Sequence, residues 1–329
     1  MTLFWVGALA LVILLYVLLD GFDLGVGILF GFARDQTHRR QMLAAIAPVW
    51  DGNETWLVLA ITILFGAFSR VYSTLFAAFY LPLTFMVGGL ILRGVAFEFR
   101  AKAVRMRWLW DLAFAGGSTA AAFLQGVTVG QLVVGLPLVD GAYAGAPLEW
   151  FNPFALLCGV GLCLGYTLLG ATWLIRKCAG EVRERAYQAL PRLLGGAFAF
   201  LVLVFVLALV QHVAIMQRWL ERPWLAAFPL ISLLAVCRLL LTLRHRTADW
   251  RPFLMVSLIF LSAFGTLAAS FWPYMIPFSM TIEQAASPAA SQKFMFWGAG
   301  LVVLPLTLFY TIFTYRVFGG KVVLDDEDH

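Results

Sequence analysis

The chain has 329 residues, of which 62% are hydrophobic and only 12% are charged, and its mean hydropathy is +0.88. This composition excludes a water-soluble globular protein and predicts an integral membrane protein. The net charge of +5 reflects basic loops that orient the chain in the membrane, so it is no sign of nucleic-acid binding.

Nine apolar stretches are long enough to cross about 30 Å of hydrocarbon as helices. We therefore predict an all-α bundle of about nine transmembrane helices, with spans near residues 3–32, 44–69, 73–98, 109–135, 152–175, 193–216, 224–243, 253–275 and 295–317. No repeat, linker or soluble insertion interrupts them. Residues 1–320 are predicted to form one transmembrane domain, and residues 321–329 a short cytoplasmic tail.

The basic residues predict the orientation of the bundle, because lysine and arginine prefer short cytoplasmic loops. All but four of the 23 lie in loops on one side, in the span ends next to those loops, or in the C-terminal tail. The exceptions are Arg70, Arg218, Arg222 and Lys293. The N-terminus is thus expected outside (periplasmic) and the C-terminus in the cytoplasm. No basic residue precedes the first span, which we expect to be retained rather than cleaved.

The first span contains two acids, Asp20 and Asp23, in the segment LDGFDLGVG. A carboxylate at the centre of a membrane helix costs at least ~2.5 kcal/mol, so it usually faces protein, a cavity or an ion path. The two acids are three residues apart and share a helix face. The glycines around them allow another helix to approach closely. We expect both carboxylates to be enclosed by protein.

The second span contains Asp51 and Glu54, in the segment APVWDGNETW. Measured along a helix from Arg40, Asp51 would lie ~16 Å from its cytoplasmic anchor, near the middle of the layer. Pro48 complicates this estimate. It either kinks the helix or marks the place where a surface segment turns into the membrane, and in the second case Asp51 is shallower.

Two kinds of role are open for these acids. Buried carboxylates with intervening water can pass protons, which is the functional hypothesis for Asp51, Glu54 and Asp23. Alternatively they hold helices together, for example by pairing with the buried Arg93. A rival from another class is an ion-coupled secondary transporter in which these acids and Asp20 bind a cation, although no inverted repeat is visible.

The histidines argue against haem ligation by this chain. His38, His245 and His329 lie in loops or at the C-terminus, and His212 alone lies near a span, at its outer end. A bis-histidine haem site needs two imidazoles at membrane depth, so a partner would have to supply them. We predict no metal site. Four scattered cysteines show no zinc or disulfide spacing and are expected to be small buried hydrophobes.

Several segments, in order, resemble the signatures of subunit II of cytochrome bd-type quinol oxidases. They are LDGFDLGVG, RRQMLAAIAPVWDGNETWLV, LRGVAFEFRAK, FNPFALLCGV with GATWLIRK, and WPYMIPFSM. The resemblance covers residues 19 to about 280, and APVWDGN is its most specific part. The compact outer loops resemble the cyanide-insensitive branch of that family.

The resemblance implies a heterodimer with a haem-bearing subunit I of similar fold, sometimes joined by a small single-span subunit, in the bacterial cytoplasmic membrane. Such a complex oxidises ubiquinol or menaquinol on the outer side and reduces O2 to water with cytoplasmic protons, so it is electrogenic without pumping. Haems b558, b595 and d would all be ligated by subunit I. Subunit II would brace the complex and supply part of the proton route.

Carried over to this chain, the resemblance implies that Asp51 is the proton-path residue, with Glu54 and Asp23 as companions. Asp20, Trp50 and Arg93 would support that path. A structural quinone is associated with this subunit in some members, and Trp50 would pack against it or against an interface.

Overall fold

The computed structural model describes residues 1–103, 105–210, 219, 221–246 and 248–322. The predictions for His212, His329 and the tail from residue 323 onward lie outside these residues.

The described chain is almost entirely helical. The first half contains α1 (Thr2–Phe32), α2 (Gln36–Ala44), α3 (Trp50–Ala67), α4 (Ser69–Ala78), α5 (Tyr80–Arg100) and α6 (Arg107–Val134). The second half contains α7 (Pro153–Lys177), α8 (Gly180–Val210), a 3-10 turn (Pro223–Ala226), α9 (Ala227–His245), α10 (Trp250–Phe271), α11 (Ile282–Ala285), α12 (Ala289–Met295), a π-helical segment (Phe296–Val303) and α13 (Leu304–Val317). Two small antiparallel hairpins pair β1 (Leu138–Val139) with β2 (Ala142–Tyr143), and β3 (Tyr274–Ile276) with β4 (Met280–Thr281).

This architecture confirms the predicted all-α, polytopic fold. Within the described residues, eight helical segments are long and apolar enough to cross a membrane, and the number rises to nine if α3 and α4 count as one broken span. These two helices meet at an angle of 120°. The third predicted span consequently begins at Tyr80, in α5, rather than near residue 73.

Backbone groups at the bend between α3 and α4 find partners in a distant segment. The Ser69 N–H donates to Ser287 Oγ over 3.1 Å, and the Ser287 N–H donates to the Ala67 carbonyl over 2.9 Å. A broken helix is tolerated at membrane depth only where protein or water satisfies its free backbone groups. The segment before α12 therefore stabilises the bend.

The chain enters α3 from a short surface helix. Asp35 caps α2 by accepting hydrogen bonds from the backbone N–H groups of His38 and Thr37, and these bonds lower the pKa of the Asp35 carboxyl. Pro48 lies in the turn between α2 and α3. It thus marks a surface segment that turns into the bundle, the second of the two alternatives that the sequence left open.

Helix α1 lies at the centre of the bundle and packs against α3, α6 and α7. Its closest approach is to α7, where a Cβ atom on Gly25 would overlap the backbone carbonyl of Tyr166 and one on Gly170 would lie 2.5 Å from the Gly25 backbone. The predicted close contact at the glycines of the first span is thereby confirmed. Nearby, the rings of Phe22 and Trp173 stack with centroids 4.0 Å apart.

A polar clamp ties the C-terminal segment to the end of the bundle that carries the basic loops, which we call the basic-loop end. Lys177 Nζ donates to the Gly320 carbonyl over 2.7 Å, and Lys321 Nζ lies 2.5 Å from Asp249 Oδ2. Arg183 and Tyr187 also bond Asp249. Although partial burial raises it, these hydrogen bonds lower the pKa of Asp249 to about 2. The first residue of the predicted tail is therefore bound to the bundle.

Candidate functional site

Arg93 is the centre of a buried charge cluster between α1, α3 and α5. Its guanidinium is completely buried, and Nη1 lies 2.8 Å from Asp20 Oδ1 on α1 and 3.5 Å from Glu54 Oε1 on α3. The Asp20 side chain is as inaccessible as Arg93, whereas that of Glu54 is 27% exposed. Three helices thus bring two carboxylates to one guanidinium, as the pairing hypothesis for Arg93 predicts.

A second polar chain begins one helical turn away, at Asp23. The Asn53 side-chain amide on α3 donates to Asp23 Oδ2 over 2.7 Å and to the Leu19 carbonyl over 3.2 Å. The Tyr315 hydroxyl on α13 donates to Asn53 Oδ1 over 3.0 Å. Asp23 is completely buried. Both acids of the first span are therefore enclosed by protein, as predicted, and each has a different partner.

Hydrogen bonds also connect α1 to α6 and α7 on the other side of Asp20. Tyr16 lies one helical turn before Asp20, and its hydroxyl accepts a bond of 2.7 Å from Gln125 Nε2. The Tyr166 hydroxyl donates to Gln125 Oε1 over 2.9 Å. Neither tyrosine was identified from the sequence, because a single tyrosine in an apolar stretch does not reveal which helix it faces.

Several polar atoms of the charge cluster lack a partner. In the described part of the chain, the buried atoms without a hydrogen bond include Asp20 Oδ2, Asp23 Oδ1, Glu54 Oε1 and both Nε and Nη2 of Arg93. Buried polar atoms are normally bonded to protein or water, since leaving one unpaired costs about 1–3 kcal/mol. The hydrogen-bonding capacity of the cluster thus exceeds what its protein partners use.

Asp51 lies in the first turn of α3 and is exposed. This position agrees with the second of the two alternatives for Pro48, in which a surface segment turns into the bundle just before Asp51. Asp51 shares its face of α3 with Val58 and Phe65, which are 61% and 64% exposed.

The Trp50 side chain, at the start of α3, packs against residues of α5 beside the cluster. Its ring centroid lies 5.0 Å from that of Phe97 and 6.0 Å from the guanidinium carbon of Arg93. The predicted supporting residues Asp20, Trp50 and Arg93 are thus brought together, whereas Asp51 stands at the edge of the same site.

The described residues contain no group of three or more histidine, cysteine or acidic side chains that could hold a metal ion. His38 pairs with Glu181 at 2.8 Å, and His245 is the last residue of α9. The cysteines are free thiols. The expected burial is confirmed for Cys178, whereas Cys158 and Cys163 are only partly buried and Cys237 is exposed, so the expectation is wrong for Cys237.

Comparison with known proteins identifies the family. The model of the family described as cytochrome bd terminal oxidase subunit II matches residues 1–318. The chain belongs to this family. It is 32% identical to cytochrome bd-I ubiquinol oxidase subunit 2 of Escherichia coli K12, with 93% of this chain and 91% of the relative covered. It is 29% identical to cytochrome bd ubiquinol oxidase subunit 2 of Bacillus subtilis, with 97% and 96% covered.

The fold agrees with this assignment. The bd oxidase of Geobacillus thermodenitrificans contains a chain that matches with a TM-score of 0.76 at 16% identity, covering 96% of this chain and 98% of that one. The resemblance recognised in the sequence is thereby confirmed. This subunit II is a multi-pass protein of the bacterial inner membrane and part of a quinol:O2 oxidoreductase that has haem cofactors and a partner subunit I. The family decides against the secondary transporter.

Proposed function

We propose that this subunit II braces the haem-bearing subunit I and carries part of a proton route that runs from Asp51 through Glu54. The observation that supports the route is the gradient of burial from Asp51 to Arg93. Asp51 is exposed, Glu54 is partly buried one turn further along α3, and the Arg93 guanidinium beyond it is fully enclosed. A proton entering at Asp51 can therefore reach the cluster with one intermediate carrier.

The charge balance of the cluster supports proton exchange at Glu54. Asp20 and Glu54 share the single guanidinium of Arg93, and Asp23 is buried one helical turn from Asp20, so three ionised carboxylates would leave net negative charge in a low-dielectric interior. Such charge is relieved by binding a proton. Glu54 is the carboxylate with access to both the surface and Arg93, which makes it the member of the cluster best placed to load and release that proton.

The two acids of α1 have different places in this scheme. Asp20 is bonded directly to Arg93 and acts as its counter-ion. Asp23 is separated from Glu54 by Asn53, and it is a secondary proton site. In this proposal Asp20 has a structural role, whereas Asp23 takes part in the proton route.

The exposed face of α3 supports the bracing role. An exposed carboxylate on the same helix face as large apolar side chains is poorly suited to lipid, because a charge in hydrocarbon is costly. A polar group of subunit I that contacts this face would keep the Asp51 carboxylate out of the lipid and would connect it to the oxygen site. We therefore place the contact with subunit I at the face formed by Asp51, Val58 and Phe65.

The remaining features follow the family resemblance. We propose that haems b558, b595 and d belong to subunit I, that ubiquinol or menaquinol is oxidised on the outer side, and that the basic-loop end faces the cytoplasm. A structural quinone would pack beside Trp50. The small single-span subunit and the cyanide-insensitive character also stay predictions. The cycle is electrogenic because protons enter from the side opposite to quinol oxidation.

The variant Asp51→Asn tests the route in the assembled oxidase. It removes the exchangeable proton but preserves size, so quinol-dependent oxygen consumption should fall roughly tenfold, equivalent to 1.4 kcal/mol in the barrier, while the haem spectrum is unchanged. Glu98→Gln is the matched control, because Glu98 is another exposed acid near the basic-loop end. Normal turnover of an assembled Asp51→Asn complex would refute the route, and loss of haem would indicate a purely structural role.

A further inference from the structure

An apolar groove opens on the flank of the bundle between α1, α9 and α10. Its volume is about 440 Å³, and carbon atoms of Leu11, Leu14, Ile231, Leu258 and Leu261 form much of its lining. Ser262 carries the one hydroxyl among the described residues of the lining, and this hydroxyl already donates to the Phe228 carbonyl. The groove therefore suits a hydrocarbon chain rather than a ligand that needs hydrogen bonds.

A second hollow continues the groove toward the end of the bundle opposite to the basic loops. It has a volume of about 340 Å³, and Gly265 lines both spaces. Arg222, Trp224 and Trp272 surround its outer part. From Trp272 to Leu258 the two spaces follow about 21 Å of α10, which exceeds the ~15 Å half-thickness of the hydrocarbon layer. The groove thus extends from the interface to the depth of one leaflet.

The outer part has the properties of a head-group site. Among the described residues that line the two spaces, Arg222 carries the only charge. Its Nη1 donates to the Trp272 carbonyl over 3.2 Å, which holds the side chain at the end of α10. Trp224 and Trp272 are 56% and 46% exposed, as is usual for aromatic anchors at the membrane interface. An anionic group fits beside Arg222.

We propose that this groove binds one anionic phospholipid, with its phosphate at Arg222 and an acyl chain along α10 from Gly265 to Leu258. The charge selects an anionic head group, and the lining accepts a flexible apolar tail. The site is independent of the proton route, because none of its lining residues belongs to the charge cluster.

Native mass spectrometry of the detergent-purified oxidase, titrated with phosphatidylglycerol or with zwitterionic phosphatidylethanolamine, tests the proposal. We expect one phosphatidylglycerol to bind more tightly than phosphatidylethanolamine. Arg222→Gln should lower the affinity for phosphatidylglycerol about fivefold, as expected for the loss of one basic residue at a membrane surface. Ala10→Phe, which fills the groove without changing charge, should weaken both lipids.

The matched control is Arg70→Gln, because Arg70 is an exposed arginine predicted on the same side of the membrane but does not line the groove. Equal binding of both lipids by the unmodified complex, or equal effects of Arg222→Gln and Arg70→Gln, would overturn the site. Displacement of the lipid by inorganic phosphate alone, or a single-span polypeptide held in the groove, would also contradict it.

Discussion

Arg93 and Asp20 form a fully enclosed ion pair whose two members depend on each other. Removing one partner of a buried pair typically costs 3–5 kcal/mol, because the other charge is left unpaired. Arg93→Gln should therefore reduce the yield of haem-containing complex severely. The double variant Arg93→Gln/Asp20→Asn should recover much of that yield, as measured by the haem spectrum after size-exclusion chromatography. Equal yields of the single and double variants would contradict the pairing.

Residues of the site differ in how far the sequence could reveal them. The enclosure of Asp20 and Asp23 could be predicted from the cost of a charge in hydrocarbon. The pairing of Asp20 with Arg93 could be foreseen because Arg93 is an isolated cation within a predicted span. Tyr315 could not be foreseen, since it reaches Asn53 from 262 positions away in the chain. The exposure of Asp51 could not be decided from the sequence, because Pro48 is compatible with either a kinked helix or a surface segment that turns into the bundle.

At the scale of helices, the contact between α1 and α7 depends on Gly25. A Cβ atom there would overlap the Tyr166 carbonyl, so Gly25→Ala must separate the helices and should cost about 1–3 kcal/mol. Gly7→Ala, on the same helix, is the control because nothing lies within 4 Å of its Cβ position. Thermal unfolding in detergent should show a lower midpoint for the first variant only. Equal midpoints for the two variants would refute this account of the contact.

The clamp at Asp249 joins α8, α10 and the C-terminal segment, and its strength should depend on pH. The folded pKa of about 2 is below the ordinary value of about 3.9. The ionised carboxylate thus contributes its full stabilisation of the folded protein above pH ~4, and this contribution is lost as the pH falls toward 2. The difference in unfolding midpoint between the unmodified protein and Asp249→Asn should shrink over that window.

Asp140→Asn is the control for the clamp, since Asp140 is an exposed acid in the β1–β2 turn. It should change the midpoint little at any pH. A difference between the unmodified protein and Asp249→Asn that stays constant from pH 5 to pH 2 would be inconsistent with a clamp based on the ionised carboxylate.

The helices themselves were predictable from hydropathy, whereas their breaks were not. Long apolar stretches define α1 and α5 to α10, and Asp35 and Asn152 cap α2 and α7 as their residue types favour. The bend between α3 and α4 depends on Ser287, which is remote in sequence. Long-range hydrogen bonds of this kind leave no periodic signal in the chain.

For the whole molecule, composition was enough to predict a membrane bundle, and ordered motifs were enough to predict the family. The charge cluster lies at the meeting of α1, α3 and α5, and Glu54 on α3 is its partly exposed member. In the proposed route, protons therefore pass the face of α3 that carries Asp51.

Time-resolved proton uptake during one turnover, with the oxidase oriented in lipid vesicles, tests this central claim most directly. We predict that protons are taken up from the basic-loop side, and that Asp51→Asn slows this uptake roughly tenfold while Glu98→Gln does not. Uptake at the same rate in Asp51→Asn, or uptake from the opposite side, would contradict the account.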